Sequence, residues 1–255
     1  MNSKTYYFVG IGGIGMSAIA RYLKNNRHNI YGYDRTRTQL TAELEKEGMN
    51  VTYEDDINHL PEVIDLAIYT PAIPAENKIL KEIIKRGIQL NKRAFALAEI
   101  VKEKKVIAIA GTHGKTTTSG LLAHLLYNSK IGCSAFLGGI ANNYSTNMLC
   151  DTKSEYVVVE ADEYDRSFLN LNPFVSAITS ISPDHLDIYQ NKENLEQAFA
   201  QFANQTDKNG HVFLKKEVKV ENKVDPDCVN DGSYDNVVYC TVCGEELSRT
   251  TVTVD

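Results

Sequence analysis

An α/β chain with two parallel sheets, a Rossmann-like domain followed by a P-loop-type domain, is predicted by three features of the sequence. Short apolar runs rich in β-branched residues alternate with stretches of helical spacing from Thr5 to Leu214. Two of these runs pass straight into a glycine loop and then a helix, at Gly10–Gly15 and at Gly111–Thr116. Glycines and prolines punctuate most of the remaining joints.

Taken in order, Thr5 to Val9 reads as the first strand. Gly10-Ile11-Gly12-Gly13-Ile14-Gly15 follows at once, and Met16, Ile19, Ala20 and Leu23 then recur at helical spacing. This is G-x-G-x-x-G between a strand and a helix, where a pyrophosphate can sit on the helix N-terminus. A second strand, Asn29 to Tyr33, ends on Asp34, where an acid can hold a ribose hydroxyl. Thr38 is placed to cap a helix carrying Leu40 and Leu44, closed by Gly48. Val51 to Tyr53 and Leu66 to Tyr69 read as strands. Thr70-Pro71-Ala72-Ile73-Pro74 is then a loop at a strand end, where open α/β sheets gather ligands. A helix with Ile79, Leu80, Ile83 and Ile84 ends at Gly87, and Ile88 to Leu90 is a brief strand. Arg93 opens the next helix and reads as a solvated residue. The charged segment from Val101 to Lys105 marks a domain boundary near residue 103.

The second half opens on the strand Val106 to Ala110 and the loop Gly111-Thr112-His113-Gly114-Lys115-Thr116-Thr117. In the usual G-x-x-x-x-G-K-[ST] pattern the first glycine would fall at Ile109, so this loop is the shorter G-x-x-G-K-T. Its N–H groups and the positive helix end face an anion, Lys115 adds a mobile charge, and the Thr116 hydroxyl is placed to ligate Mg²⁺. Leu121, Leu122, Leu125 and Leu126 continue as a helix, and Gly132 to Gly139 is mixed strand and loop. The strand Glu155 to Glu160 ends on an acid, the natural second contact for Mg²⁺ beside a phosphate loop. Asp162, Glu163 and Asp165 read as a solvated charge run. Val175 to Ile181 is a further strand leading to Ser182-Pro183-Asp184-His185-Leu186-Asp187, in which His185 is a candidate metal ligand with acids on both sides to orient it. An amphipathic helix near 192–203 carries Leu195, Phe199 and Phe202, and His211 to Leu214 is a last strand.

Bulk composition narrows the function classes. The 255 residues are 43% hydrophobic, enough for one large or two ordinary cores. A net charge of −6 without a long basic run argues against binding nucleic acid through a broad basic surface. No run of 18 apolar residues suggests a membrane span, and the start lacks a signal-peptide pattern, so a cytoplasmic protein without a membrane or nucleic-acid partner is expected. Cys133 and Cys150 read as single thiols of a reducing compartment.

Four motifs, Gly10 to Ala18, Gly111 to Thr118, Glu160 to Leu169 and Asp184 to Tyr189, occur together in an order that resembles the ATP-dependent Mur ligases of peptidoglycan synthesis. The Gly-Ile-Gly-Gly-Ile-Gly opening is most similar to members that join L-alanine to UDP-N-acetylmuramate. The resemblance covers roughly residues 4–215. It implies that residues 1–103 bind the UDP-sugar and not NAD, with Gly12, Gly13 and Ile14 facing the diphosphate and Asp34, Thr70 and Ala72 near the uridine. It implies a P-loop-type parallel-sheet ATPase domain at 104–215, truncated, with ATP on Gly111, Thr112, His113, Gly114, Lys115, Thr116 and Thr117. Lys115 would stabilise the transferred phosphoryl, Thr116 and Glu160 would hold one Mg²⁺, and His185 a second. The substrate carboxylate would attack the γ-phosphate to give an acyl phosphate, which the L-alanine amine converts to an amide. Clustered anions of this kind are neutralised by positioned metals and Lys115.

Departures accompany the match. Ser180 stands where the family usually has asparagine, and Tyr164 where serine is usual. The family's third domain is expected to be missing. Residues 216–255 read as an unmatched tail with Cys228 and a C-x-x-C at Cys240 and Cys243. Three cysteines fall short of the four ligands of a tetrahedral zinc site, so a poorly ordered tail with free thiols is expected. Two other readings remain. An NAD-dependent oxidoreductase would use Gly10–Gly15 and Asp34 but leave Lys115, Glu160 and His185 idle. A truncated, non-catalytic nucleotide-binding fragment would keep both loops without the chemistry.

Overall fold

The computed structural model describes residues 3–182, 186–215, 218, 221–224, 232–239 and 246–254; at 186–187 and from 221 onward it describes the backbone alone. In the first domain, five parallel strands take the order β3-β2-β1-β4-β5. They are β1 (Thr5–Val9), β2 (Asn29–Tyr33), β3 (Asn50–Thr52), β4 (Leu66–Tyr69) and β5 (Leu90–Lys92). The helices between them are α1 (Ile14–Asn25), α2 (Gln39–Lys46), α3 (Lys78–Lys85) and α4 (Arg93–Val101). Phe8 and Val9 of the central strand are fully buried, as expected where helices cover both faces of a parallel sheet. Each such side chain contributes about 1.5–3 kcal/mol by leaving water.

Two of these helices, α2 and α3, start on side-chain caps. Thr38 caps α2 in a reciprocal box with Thr41, and the Asn77 side chain accepts from Leu80 N at 2.8 Å to start α3. The last strand of this sheet sits two residues later than the sequence suggests: Leu90, Asn91 and Lys92 pair with Ala67, Ile68 and Tyr69. That shift runs β5 directly into Arg93 at the start of α4.

The second sheet has the order β11-β10-β6-β9-β7-β8. Its strands are β6 (Lys105–Ala110), β7 (Ser134–Ala141), β8 (Thr146–Leu149), β9 (Tyr156–Glu160), β10 (Val175–Ile178) and β11 (His211–Leu214). Around them lie α5 (Lys115–Tyr127), α6 (Leu186–Tyr189) and α7 (Lys192–Asn204). All pairs but one are parallel. The exception is β8, which folds back antiparallel on β7 and has no expectation in the sequence reading. A third sheet pairs β12 (Glu221–Val224), β13 (Gly232–Tyr239) and β14 (Glu246–Val254) antiparallel. The expectation of a poorly ordered tail is therefore corrected over these spans. Their β-branched runs, such as Thr250 to Val254, suit strands. Cys228, Cys240 and Cys243 lie outside the described residues.

Helix α1 lies between the two sheets. A single buried cluster runs from Phe8, Ile19 and Leu23 of the first domain to Phe136, Met148 and Phe199 of the second, and the Tyr22 and Phe136 rings stand 5.2 Å apart. Polar groups reinforce the junction. Arg21, 4% exposed, donates to Asn147 Oδ1 of β8 at 2.6 Å and to Glu47 at 2.7 Å. Asn147 in turn donates to the Ile14 carbonyl at 2.6 Å and the Ser17 hydroxyl at 2.9 Å. Among the described residues, no helix is long and apolar enough to cross a membrane.

Candidate active site

The phosphate-type loop forms because two of its residues have no side chain. Gly111 takes φ +130° and Gly114 φ +85°, conformations that disfavour L side chains. A Cβ on Gly111 would also stand 2.3 Å from Thr179 Oγ1 and 2.8 Å from Ser180 N. The loop is held from below by the end of β10. Thr112 N donates to the Ser180 carbonyl at 3.0 Å, His113 N donates to Ser180 Oγ at 2.8 Å, and Thr179 Oγ1 donates to the Ala110 carbonyl at 3.1 Å. Ser180, a departure in the sequence, thus serves as a fastening of the loop. His113, Thr116 and Thr117 are exposed and Thr112 is buried. The first-turn N–H groups of α5, after the Gly114 cap, have no intrahelical acceptor, which suits an anion.

Thr116 and Glu160 are brought together: Thr116 Oγ1 donates to Glu160 Oε1 at 2.9 Å. Glu160 also accepts from Gly138 N at 3.0 Å and from Ser119 Oγ at 3.4 Å. A hydroxyl and a carboxylate form an all-oxygen donor set, the kind a hard cation such as Mg²⁺ takes alongside phosphate oxygens. The third expected metal residue, His185, lies outside the described residues.

Lys115 has a partner that the sequence reading missed. Its ammonium lies 2.8 Å from Glu163 Oε2 and donates to the Gly111 carbonyl at 2.7 Å. Glu163 is fully buried, so its assignment to a solvated charge run is wrong. Just after it, Asp165 and Arg166 are both left-handed at φ 53°, an uncommon conformation for such residues. Phe168 then anchors the turn in the core against Phe199 and Phe202, at ring distances of 5.2 and 5.0 Å. The buried Tyr189 hydroxyl donates to the Glu163 carbonyl, and burial pushes that phenol up to about 12. The signal available in the sequence was the aromatic at Phe168, which shows that the acidic stretch is tied to the core.

The other glycine loop lies at the carboxyl ends of β1, β2 and β4. Gly10 takes φ +92° and packs so closely on Thr70 that a Cβ would stand 2.6 Å from its methyl. Asp34 accepts from Gly12 N at 2.8 Å and from Thr36 N at 3.1 Å. Gly13 caps α1 without a side-chain partner, leaving the helix end open; Gly13, Ile14 and Ala72 are exposed, and Thr70 is half-buried. The six expected substrate residues therefore lie together at the carboxyl end of the sheet, with Asp34 bonded to the loop it flanks.

Ile14 and Gly15 of the first glycine motif and Lys115 of the second line one cavity of about 320 Å³ between the domains. Ile14 and Gly15 line one side, Lys115, Glu160 and Asp162 the other, and Arg93 stands between them. A Cβ on Gly15 would meet the Arg93 guanidinium at 2.6 Å. Arg93 also pairs with Asp162 at 3.5 Å, which corrects its reading as a solvated residue at a helix start.

The profile of the Mur ligase family catalytic domain matches residues 5–105, and that of the Mur ligase middle domain matches residues 109–237. A UDP-N-acetylmuramate–L-alanine ligase of Porphyromonas gingivalis is 49% identical over 217 residues, covering 83% of this chain and 48% of the relative. One of Christiangramia forsetii is 46% identical over 223 residues, covering 85% and 49%. The chain thus spans about half the length of the curated relatives it matches. Among solved structures, the UDP-N-acetylmuramate–alanine ligase of Thermotoga maritima superposes with a TM-score of 0.74 at 26% identity, over 98% of this chain and 61% of that one. A murein peptide ligase of Psychrobacter arcticus, at 19% identity, shares the fold with a TM-score of 0.73 over the same shares. With two family profiles matched in series and the cavity framed by residues from both, the chain belongs to the Mur ligase family.

Proposed function

We propose that this chain carries the sugar-nucleotide and ATP sites of a ligase that joins L-alanine to UDP-N-acetylmuramate in peptidoglycan synthesis, in the cytoplasm. Residues 1–103 take the UDP-sugar, with its diphosphate on the open α1 end at Gly12, Gly13 and Ile14, and its uridine by Asp34, Thr70 and Ala72. Residues 104–215 take ATP on Gly111 to Thr117. The observation that carries this reading is the shared cavity: Ile14 and Gly15 at the start of α1 and Lys115 at the start of α5 line one space of about 320 Å³. A carboxylate held on one side can reach a phosphoryl group held on the other, and holding both in one site removes most of the entropic barrier to their meeting.

Thr116 and Glu160 hold Mg²⁺, which when bound spreads the charge of the phosphates. Lys115 exchanges Glu163 for the nucleotide's terminal phosphates and neutralises charge as the phosphoryl moves. His185 is assigned to a second metal by the resemblance alone. The membership set out above leaves the NAD-dependent oxidoreductase without support, since its reading uses only one of the two loops.

Calorimetric titration of the full chain with UDP-N-acetylmuramate, with ATP and Mg²⁺, and with NADH tests this directly. Binding of the first two without the third is expected. Binding of NADH with no binding of the UDP-sugar would overturn the proposal.

A further inference from the structure

Arg93 lines the cavity and reaches from Gly15 of the first domain to Asp162 of the second. It is the first residue of α4 and follows β5 without a linker. One arm of its guanidinium packs on Gly15 in the first turn of α1. The other reaches Asp162 Oδ2, in the loop after β9, at a long 3.5 Å. Its side chain is 30% exposed, so it keeps donors free toward the cavity that Lys115 and Glu160 also line.

Position decides which anion this cation serves. A diphosphate on the α1 end is met by the first-turn N–H groups from Ile14 onward, the Gly13 N–H donating to the Gly10 carbonyl at 3.4 Å, and the terminal phosphate of a nucleotide by Lys115. A group beside Arg93 lies between the two. On the proposed function above, on which this inference rests, the one anionic group of the substrate that must stand there is the carboxylate to be activated. We infer that Arg93 is a positioning residue that reads this carboxylate, holding it in a planar fork against the phosphate site. The fork also distinguishes a sugar nucleotide that has the carboxylate from one that lacks it.

The test uses the full chain, wild type and the variants Arg93→Ala and Arg93→Lys, titrated calorimetrically with UDP-N-acetylmuramate and with UDP-N-acetylglucosamine, the same kind of sugar nucleotide without the lactyl carboxylate. The wild type is expected to prefer the muramate by roughly tenfold or more, the worth of a charge-assisted pair. Arg93→Ala should lose that preference while binding UDP-N-acetylglucosamine unchanged, which also shows that the variant is folded, and Arg93→Lys should recover part of it. A preference that survives Arg93→Ala overturns the inference. So does equal weakening toward both ligands, which would place Arg93 on the diphosphate. A wild type that binds both equally overturns it while leaving the sugar-nucleotide site standing. A wild type that binds neither overturns the proposed function and this inference with it.

Discussion

The Lys115 ammonium and the Glu163 carboxylate form a close ion pair, 2.8 Å to one oxygen and 2.9 Å to the other, with the acid fully buried. Glu163 occupies the position of counter-charge that a nucleotide phosphate would take over. Neutralising it should destabilise the unliganded protein more than the liganded one, because the buried partner of a charge is then missing only when no phosphate is there. Glu163→Gln is therefore expected to melt earlier than the wild type and to gain more in melting temperature on addition of ATP and Mg²⁺. A gain no larger than that of the wild type would show that the phosphates do not replace this carboxylate.

Gly111 and Gly87 both have positive φ, at +130° and +67°, but their surroundings differ. A Cβ at Gly87 meets nothing within 4 Å, whereas one at Gly111 runs into Thr179 and Ser180. Gly87→Ala should cost about 1 kcal/mol from backbone conformation alone. Gly111→Ala must also displace the loop's fastening, so it should lose ATP binding as well as stability, read by denaturant melts and calorimetry. Equal costs at the two sites would mean that the close approach at Gly111 is relieved by easy movement of Thr179.

Much of this architecture is legible in the chain because the local signals agree. The strand–glycine–helix stretches at Gly10 and Gly111 carry apolar period, turn chemistry and helix start together, and both loops lie where the pattern puts them. What escaped is tertiary. Glu163 reads as one of several solvated acids, and only the tertiary fold shows it buried against Lys115. Arg93 reads as a surface residue, since nothing local shows that Gly15 leaves room for it. The hairpin strand Thr146–Leu149 has polar residues where alternation would be expected. Asn147 is buried there by bonds to α1, a contact about 130 residues away in sequence.

Asn147 is fully buried and satisfies three groups of the first domain: Arg21, the Ile14 carbonyl and the Ser17 hydroxyl. Asn147→Ala leaves a buried guanidinium arm and a carbonyl short of partners, at about 1–3 kcal/mol for each such loss. Because those groups belong to α1, the change should also loosen the helix end proposed to take the diphosphate. The variant is expected to lose a few kcal/mol of stability in urea melts and to bind UDP-N-acetylmuramate more weakly, with ATP binding kept. Loss of ATP affinity alone would show that β8 serves the second domain and not the junction.

Burial of ionisable groups weakens the fold at alkaline pH, Cys133, Tyr7 and Tyr189 being shifted furthest. Burial pushes the Cys133 thiol up to about 11 from 9.0, and the Tyr7 and Tyr189 phenols up to about 12 from 10.0. In each, the folded protein holds its proton over a range in which the unfolded chain has released it. The native state then binds more protons than the unfolded one, so stability falls as pH rises. The contribution is fully present below about pH 9, begins to fade through the Cys133 window of 9 to 11, and declines most steeply when the two phenols join between 10 and 12. Urea midpoints measured from pH 8 to 11 should therefore fall with pH. Cys133→Ala should make the onset near pH 9 shallower without abolishing it, since burial also raises the Cys150 thiol, and should leave the steeper decline at 10 and above. A wild-type midpoint that stays level to pH 11 would mean that these groups ionise in the folded state as freely as in the unfolded chain.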